Sequence, residues 1–205
     1  MVLDPAGRKN WFMCWVAVDA SDTWWVYREW PDVNVGEWAE YRQGKWCEGP
    51  GAKGLGYGIR DYVDLIMRME GENKEEIFER LIDPRLGAAK YQSQLGASSI
   101  IEDLADAGMV FIPAPGLDIE DGLQALQTKM AYNTRQPIDG ANHPHFYISE
   151  RCTNIITALQ EYTAEGGLEE SHKDPIDVLR YMAIAGVGYV DPKAFVRKKD
   201  IKRGY

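Results

Sequence analysis

The order in which apolar segments of different period follow one another constrains this chain most. Two runs rich in aromatic and β-branched residues, WFMCWVAVDA and TWWVYREW, flank a Ser-Asp turn and read as a two-stranded hairpin. Beyond them, helix-period segments alternate with single short apolar runs. DYVDLIMRMEG carries apolar residues at 62, 63, 65, 66 and 69 in helical register, and EEIFERLIDPR leads to a strand ending at Asp83, where Pro84 favours chain reversal. LGAAKYQSQLG reads as loop. SSIIEDLADAG reads as a helix capped by Ser98 or Ser99 and ended by Gly108, VFIPAP as a strand, and DIEDGLQALQTKMAYN as a helix whose opening acids suit its positive end. HFYISE then reads as strand, RCTNIITALQEYT as helix, EGGLEESHK as polar loop and DPIDVLRYMAIAG as the closing helix. This order predicts an α/β fold, a central mixed sheet flanked by helices on both faces, with its ligand edge where strand ends and helix starts meet.

At 205 residues, 45% of them hydrophobic and 11% aromatic, the chain is expected to bury a core as one large domain without staples. Its first strand lies so close to Met1 that the native polypeptide is expected to continue upstream. No apolar run approaches the roughly 20 residues of a membrane span, and no signal peptide opens the chain, so a soluble intracellular protein without membrane partners is expected. Cys14, Cys47 and Cys152 are odd in number and show no C-x-x-C, so they read as reduced, partly buried thiols. Trp24, Trp25, Trp30 and Trp38 read as packing or rim residues. The glycine-rich stretch from Gly44 to Gly58 lacks the order of a phosphate-cradling loop and reads as a surface loop.

Net charge is −9, which argues against a nucleic-acid partner until its distribution is considered. From Lys193 to Tyr205 six basic residues face one acid, so this stretch carries +5 and the remainder −14. Such a tail suits a phosphate-contacting arm, through Lys198 and Lys199 among others, and equally a solubilising tail.

Four aspartates carry the chemistry. Asp4 in VLDPAG and Asp83 in RLIDPR each stand at the end of a run that reads as a strand, and Asp174 and Asp177 open the last helix, three residues apart on one face. Carboxylates gathered from distant positions suit a hard divalent cation such as Mg²⁺, which keeps open positions for phosphate oxygens and water. Each aspartate also has a plain structural role open to it. Asp174 before Pro175 suits a helix N-cap, and Asp4 and Asp83 before proline suit turns that accept backbone hydrogen bonds. His172 is a candidate for proton transfer, or a solvated loop residue; His143 and His145 read as structural. Lys9, Arg85, Lys90 and Arg180 lie near these segments in sequence and are candidates for phosphate contact.

The pieces VLDPAG, RLIDPRLGAA, HPHFYISERCTNIITALQEY and SHKDPIDVLRYMA, in this order, resemble the nuclease domain of the large terminase subunit of tailed bacteriophages, a member of the ribonuclease H-like superfamily. The resemblance spans most of the chain. It implies a nuclease domain over residues 1–192 with a basic tail at 193–205. Its implied activity is cleavage of concatemeric viral double-stranded DNA during genome packaging, with two Mg²⁺ or Mn²⁺ ions. Its implied partners are an ATPase motor domain upstream, the portal and the small terminase subunit, in the cytoplasm of an infected bacterium. Carried over by residue, Asp4, Asp83 and Asp177 match the family's metal ligands, Asp177 within D-V-L-R-Y, and Asp174 and His172 stay candidates. Valine after Asp177, where the family has a small residue, implies slightly different packing of that helix. A junction resolvase or exonuclease of the same fold, or a non-catalytic phage assembly module with an aromatic docking surface, remain the rival expectations.

Overall fold

A computed structural model describes residues 1–6, 10–31, 40–42, 45–47, 57–93, 96–116, 118–162 and 170–191, with backbone alone at 40–42, 45–47, 93 and 170–172. β1 (Val2–Asp4), β2 (Phe12–Val18) and β3 (Trp24–Trp30) form an antiparallel meander. β4 (Glu40–Arg42) and β5 (Lys45–Cys47) pair separately, so part of the expected glycine-rich loop is strand; Gly44 and 48–56 lie outside the described residues. β6 (Leu81–Ile82) adds to β1 in parallel. β7 (Tyr91–Ser93) and β8 (Gly96–Ser98) form a second small pair. β9 (Ile112–Pro113) adds to β6 in parallel, and β10 (Phe146–Ile148) adds to β3 in parallel at the other edge. The result is a six-stranded mixed sheet in the order β10-β3-β2-β1-β6-β9.

The helices are α1 (Ile59–Glu72), α2 (Pro84–Ala88), α3 (Ile100–Asp106), α4 (Ile119–Met130), α5 (Thr153–Glu161) and α6 (Glu170–Ala185). They cover both faces of the sheet, and the period-2 alternation of the strands decides which residue meets which face. Val2, Phe12, Cys14, Trp24, Val26 and Leu81 join Leu126 of α4, Ile155 of α5 and Val178, Leu179 and Met182 of α6 in one core. Leu3, Met13, Trp15 and Ile82 point the other way, into a core with Tyr62, Val63 and Ile66 of α1 and Leu104 of α3. A strand buried on both sides reads as a continuous apolar run, which is why WFMCWV shows no polar alternation. No helix of the described residues is long and apolar enough to cross a membrane.

Several polar groups that enter these cores find partners. Trp15 Nε1 donates to Glu70 Oε1 at 3.0 Å, and Glu70 also pairs with Arg80, tying β2 and α1 to the residue just before β6. Asp19 organises the β2–β3 turn by accepting from the amides of Ser21 and Thr23. Cys14 and Cys152 are buried free thiols, each pushed up to about 12, chiefly by burial. Trp24 and Trp30 are core residues, whereas Trp25 is 44% exposed; Trp38 lies outside the described residues.

Two expectations change. LGAAKYQSQLG is not simply loop, since it holds the end of α2 and the β7 strand. The closing helix starts at Glu170 rather than at Asp174, so Pro175 lies inside it, where it removes one i→i−4 hydrogen bond.

The cap of α5 comes from the strand beside β10. Its N-cap residue, Cys152, supplies no side-chain bond. Buried Glu29 of β3 instead accepts from Asn154 N at 2.8 Å and Ile155 N at 2.9 Å, meeting the positive helix end with a carboxylate. Replacing Glu29 by alanine should therefore lower stability by about 2–3 kcal/mol in urea unfolding, because two buried amides lose their acceptor. A loss below about 0.5 kcal/mol would show that the cap contributes little.

Candidate functional site

The β1–β6 register builds the site. Leu3 lies opposite Ile82, and the Asp83 amide donates to the Leu3 carbonyl at 3.0 Å, so Asp4 and Asp83 leave two adjacent parallel strands at the same end. Parity then directs them. Asp4 is two residues beyond Val2 and Asp83 two beyond Leu81, and both of those face the core that contains α6. Asp174, Asp177 and Tyr181 follow one another on α6 at helical spacing, and α6 packs across β1, β2 and β6. All four aspartates are buried: Asp4 6%, Asp83 3%, Asp174 6% and Asp177 5% exposed.

Tyr181 is the meeting point. Burial raises the pKa of its phenol most, followed by its hydrogen bond to Asp83 and the negative charges of Asp177, Asp4 and Asp83. Three carboxylates from β1, the end of β6 and α6 thus act on one hydroxyl. Arg85 is exposed, and its guanidinium is held above the usual range chiefly by the Tyr181 hydroxyl nearby, with the charges of Asp83 and Asp177 adding to it. The spacing of Tyr181, four residues after Asp177, was the signal in the sequence for this role.

Both oxygens of Asp83 and one of Asp177 already have partners. Asp83 Oδ1 accepts from the Arg85 and Leu86 amides at 2.5 and 2.8 Å, capping α2 with Pro84 at its first position. Asp83 Oδ2 accepts from the Tyr181 hydroxyl. Asp177 Oδ1 accepts from Arg180 Nε at 3.1 Å and Nη2 at 2.8 Å. The capping role is thus real for Asp83. It is not that of Asp174, which lies inside α6 rather than at its start.

Arg180, a candidate phosphate contact from the sequence, is 3% exposed and spent on Asp177. Its guanidinium lies 4.8 Å from the Tyr181 ring centroid. Gly122 of α4 makes room for its stem: a Cβ there would fall 2.1 Å from Arg180 Cγ and 2.8 Å from Ile184 Cδ1. Lys90 is exposed and paired with exposed Glu102. Lys9, Lys198, Lys199 and the tail lie outside the described residues, as does the side chain of His172. His143 Nδ1 donates to the Asp139 carbonyl at 3.0 Å, and His145 Nδ1 lies 3.4 Å from the Thr23 hydroxyl, both structural contacts.

The donor chemistry suits a hard cation, but the arrangement does not fit one. Among the described residues, no group of three or more His, Cys, Asp or Glu side chains is placed to hold a metal ion. The carboxylates converge in the same neighbourhood, yet Tyr181, Arg180 and the start of α2 take oxygens that an ion would need.

The Gly122 seat is testable by Gly122→Ala. In an ordinary helix this change gains up to about 1 kcal/mol. Here the methyl group overlaps Arg180, so a net loss of about 1–3 kcal/mol is expected in chemical denaturation. A neutral or stabilising result would mean that α4 does not hold Arg180 in place. No protein-family model, curated protein or solved structure matches the chain.

Proposed function

We propose that this chain is a ribonuclease H-like nuclease domain that cleaves double-stranded DNA in a divalent-metal-dependent reaction. The observation that carries this reading is that Asp4 and Asp83 end adjacent parallel strands on the face packed by α6, which brings buried Asp177 and Tyr181 to that face, with Tyr181 bonded to Asp83. Further support comes from the sheet, in which a three-stranded antiparallel meander continues through two parallel strands and leaves the acids at adjoining strand ends. Carboxylates at such an edge are what phosphodiester hydrolysis with Mg²⁺ or Mn²⁺ requires of its protein.

The chain's own residues divide the work by charge. The buried acids concentrate negative charge, and exposed Arg85, in the first turn of the helix that Asp83 caps, offers a phosphate oxygen a cation at the rim. Following the terminase resemblance, the substrate in this proposal is concatemeric viral DNA, handled with an upstream ATPase motor, the portal and the small subunit in the infected host's cytoplasm. The two ions of that family are part of the same proposal.

The test is incubation of the chain with supercoiled circular duplex DNA and Mn²⁺, beside an EDTA control and Asp83→Asn. Asparagine still caps a helix well, so the variant keeps α2 while losing the carboxylate. The wild type should nick and linearise the circle, EDTA should stop it, and Asp83→Asn should be at least about 100-fold slower while remaining folded by circular dichroism. Intact circles with wild-type protein, or equal cleavage by the variant, would contradict the reading. Cleavage of branched DNA or of ends, with circles untouched, would assign the fold to the rival resolvase or exonuclease.

A further inference from the structure

The mismatch between the converging acids and the needs of a cation has a specific cause, and it lies in two consecutive residues of α6. Tyr181 takes Asp83 Oδ2, and Arg180 takes Asp177 Oδ1 through both Nε and Nη2. We infer that Arg180 and Tyr181 form an internal lock on the acid cluster, standing in for a divalent cation and lowering the site's apparent affinity for one until the Tyr181–Asp83 contact opens. The inference rests on the nuclease reading.

Three observations make this a lock rather than two incidental contacts. Both residues are buried, Arg180 at 3% and Tyr181 at 2% exposure, so their polar ends meet carboxylates instead of water. A buried carboxylate needs compensation, and an internal guanidinium provides it where an ion would otherwise be required. The two are also mechanically joined. The Arg180 guanidinium sits over the Tyr181 ring, and its stem is seated against Gly122, where even a methyl group has no space. Finally, the hydroxyl completes the engagement of one acid. The Arg85 and Leu86 amides take Asp83 Oδ1 and the Tyr181 hydroxyl donates to Oδ2, so both oxygens of that carboxylate are occupied. Tyr181 is therefore a positioning residue, held on a buried acid.

The energetic consequence follows from population arithmetic. An ion that binds only the opened arrangement shows an affinity reduced by the fraction of molecules that are open. Removing the hydroxyl removes one charge-assisted hydrogen bond from the closed arrangement and leaves its aromatic packing in place.

The experiment is calorimetric titration of Mn²⁺ into the wild type, Tyr181→Phe and Asp83→Asn, each checked for folding by circular dichroism. Tyr181→Phe should bind Mn²⁺ about tenfold tighter than the wild type, and Asp83→Asn should lose binding. A second readout follows the phenol directly: Mn²⁺ should produce a near-ultraviolet tyrosine difference spectrum in the wild type that is absent from Tyr181→Phe. Equal or weaker binding by Tyr181→Phe, or a difference spectrum it shares with the wild type, overturns the lock; the nuclease reading then stands if Asp83→Asn still loses binding. No binding by any of the three proteins overturns both.

Discussion

The parallel pairing of β1 with β6 is the constraint on which the rest depends. It is only two residues long on the β6 side, Leu81 and Ile82, yet it places Asp4 and Asp83 at neighbouring strand ends and gives each the side-chain parity that faces α6. A slip of one residue in either strand would turn its aspartate into the opposite core, among Leu3, Trp15 and Ile66. Register is held by more than that ladder. Met1 and Leu3 carbonyls accept from Leu81 and Asp83 amides, and Glu70, bonded to Trp15, pins Arg80 immediately upstream of the strand.

Placing several carboxylates in a protein interior is costly unless each is compensated. The fold answers with local partners: helix α2 on one oxygen of Asp83, the Tyr181 phenol on the other, and Arg180 on Asp177. The same solution recurs away from the site, where Glu29 is spent on the start of α5 and Glu70 on Trp15 and Arg80. Buried acids in this molecule thus serve as structural acceptors, and the candidate site differs in gathering four of them, Asp4, Asp83, Asp174 and Asp177, where α6 packs on β1 and β6. That concentration, rather than any single residue, supports the proposed chemistry.

Much of this placement was legible in the sequence. The meander announced itself through WFMCWV and WWVYREW, the helices through their period, and the aspartates through their position after short apolar runs. Asp177 and Tyr181 show their common face by spacing alone. Other features left no such trace. β6 and β9 are too short for periodicity to reveal which strand they join. Asp-Pro at 174–175 imitates a helix start, and the real start at Glu170 lies in a polar stretch that carries no apolar stripe. Arg180 reads as a candidate phosphate contact because nothing local shows that Gly122, on another helix, opens a seat for it. Glu29 caps a helix that begins more than a hundred residues later in the chain.

The central claim is physical proximity: acids from the start and the end of the chain share one buried locus. A double-mutant cycle between Asp4→Asn and Asp177→Asn, read by chemical denaturation without added metal, measures it directly. Like charges acting on one another should make the two changes non-additive by more than about 0.5 kcal/mol, with the double variant more destabilised, or less stabilised, than the single changes sum to. Additivity within about 0.3 kcal/mol would place the two carboxylates in independent surroundings and remove the basis of the site.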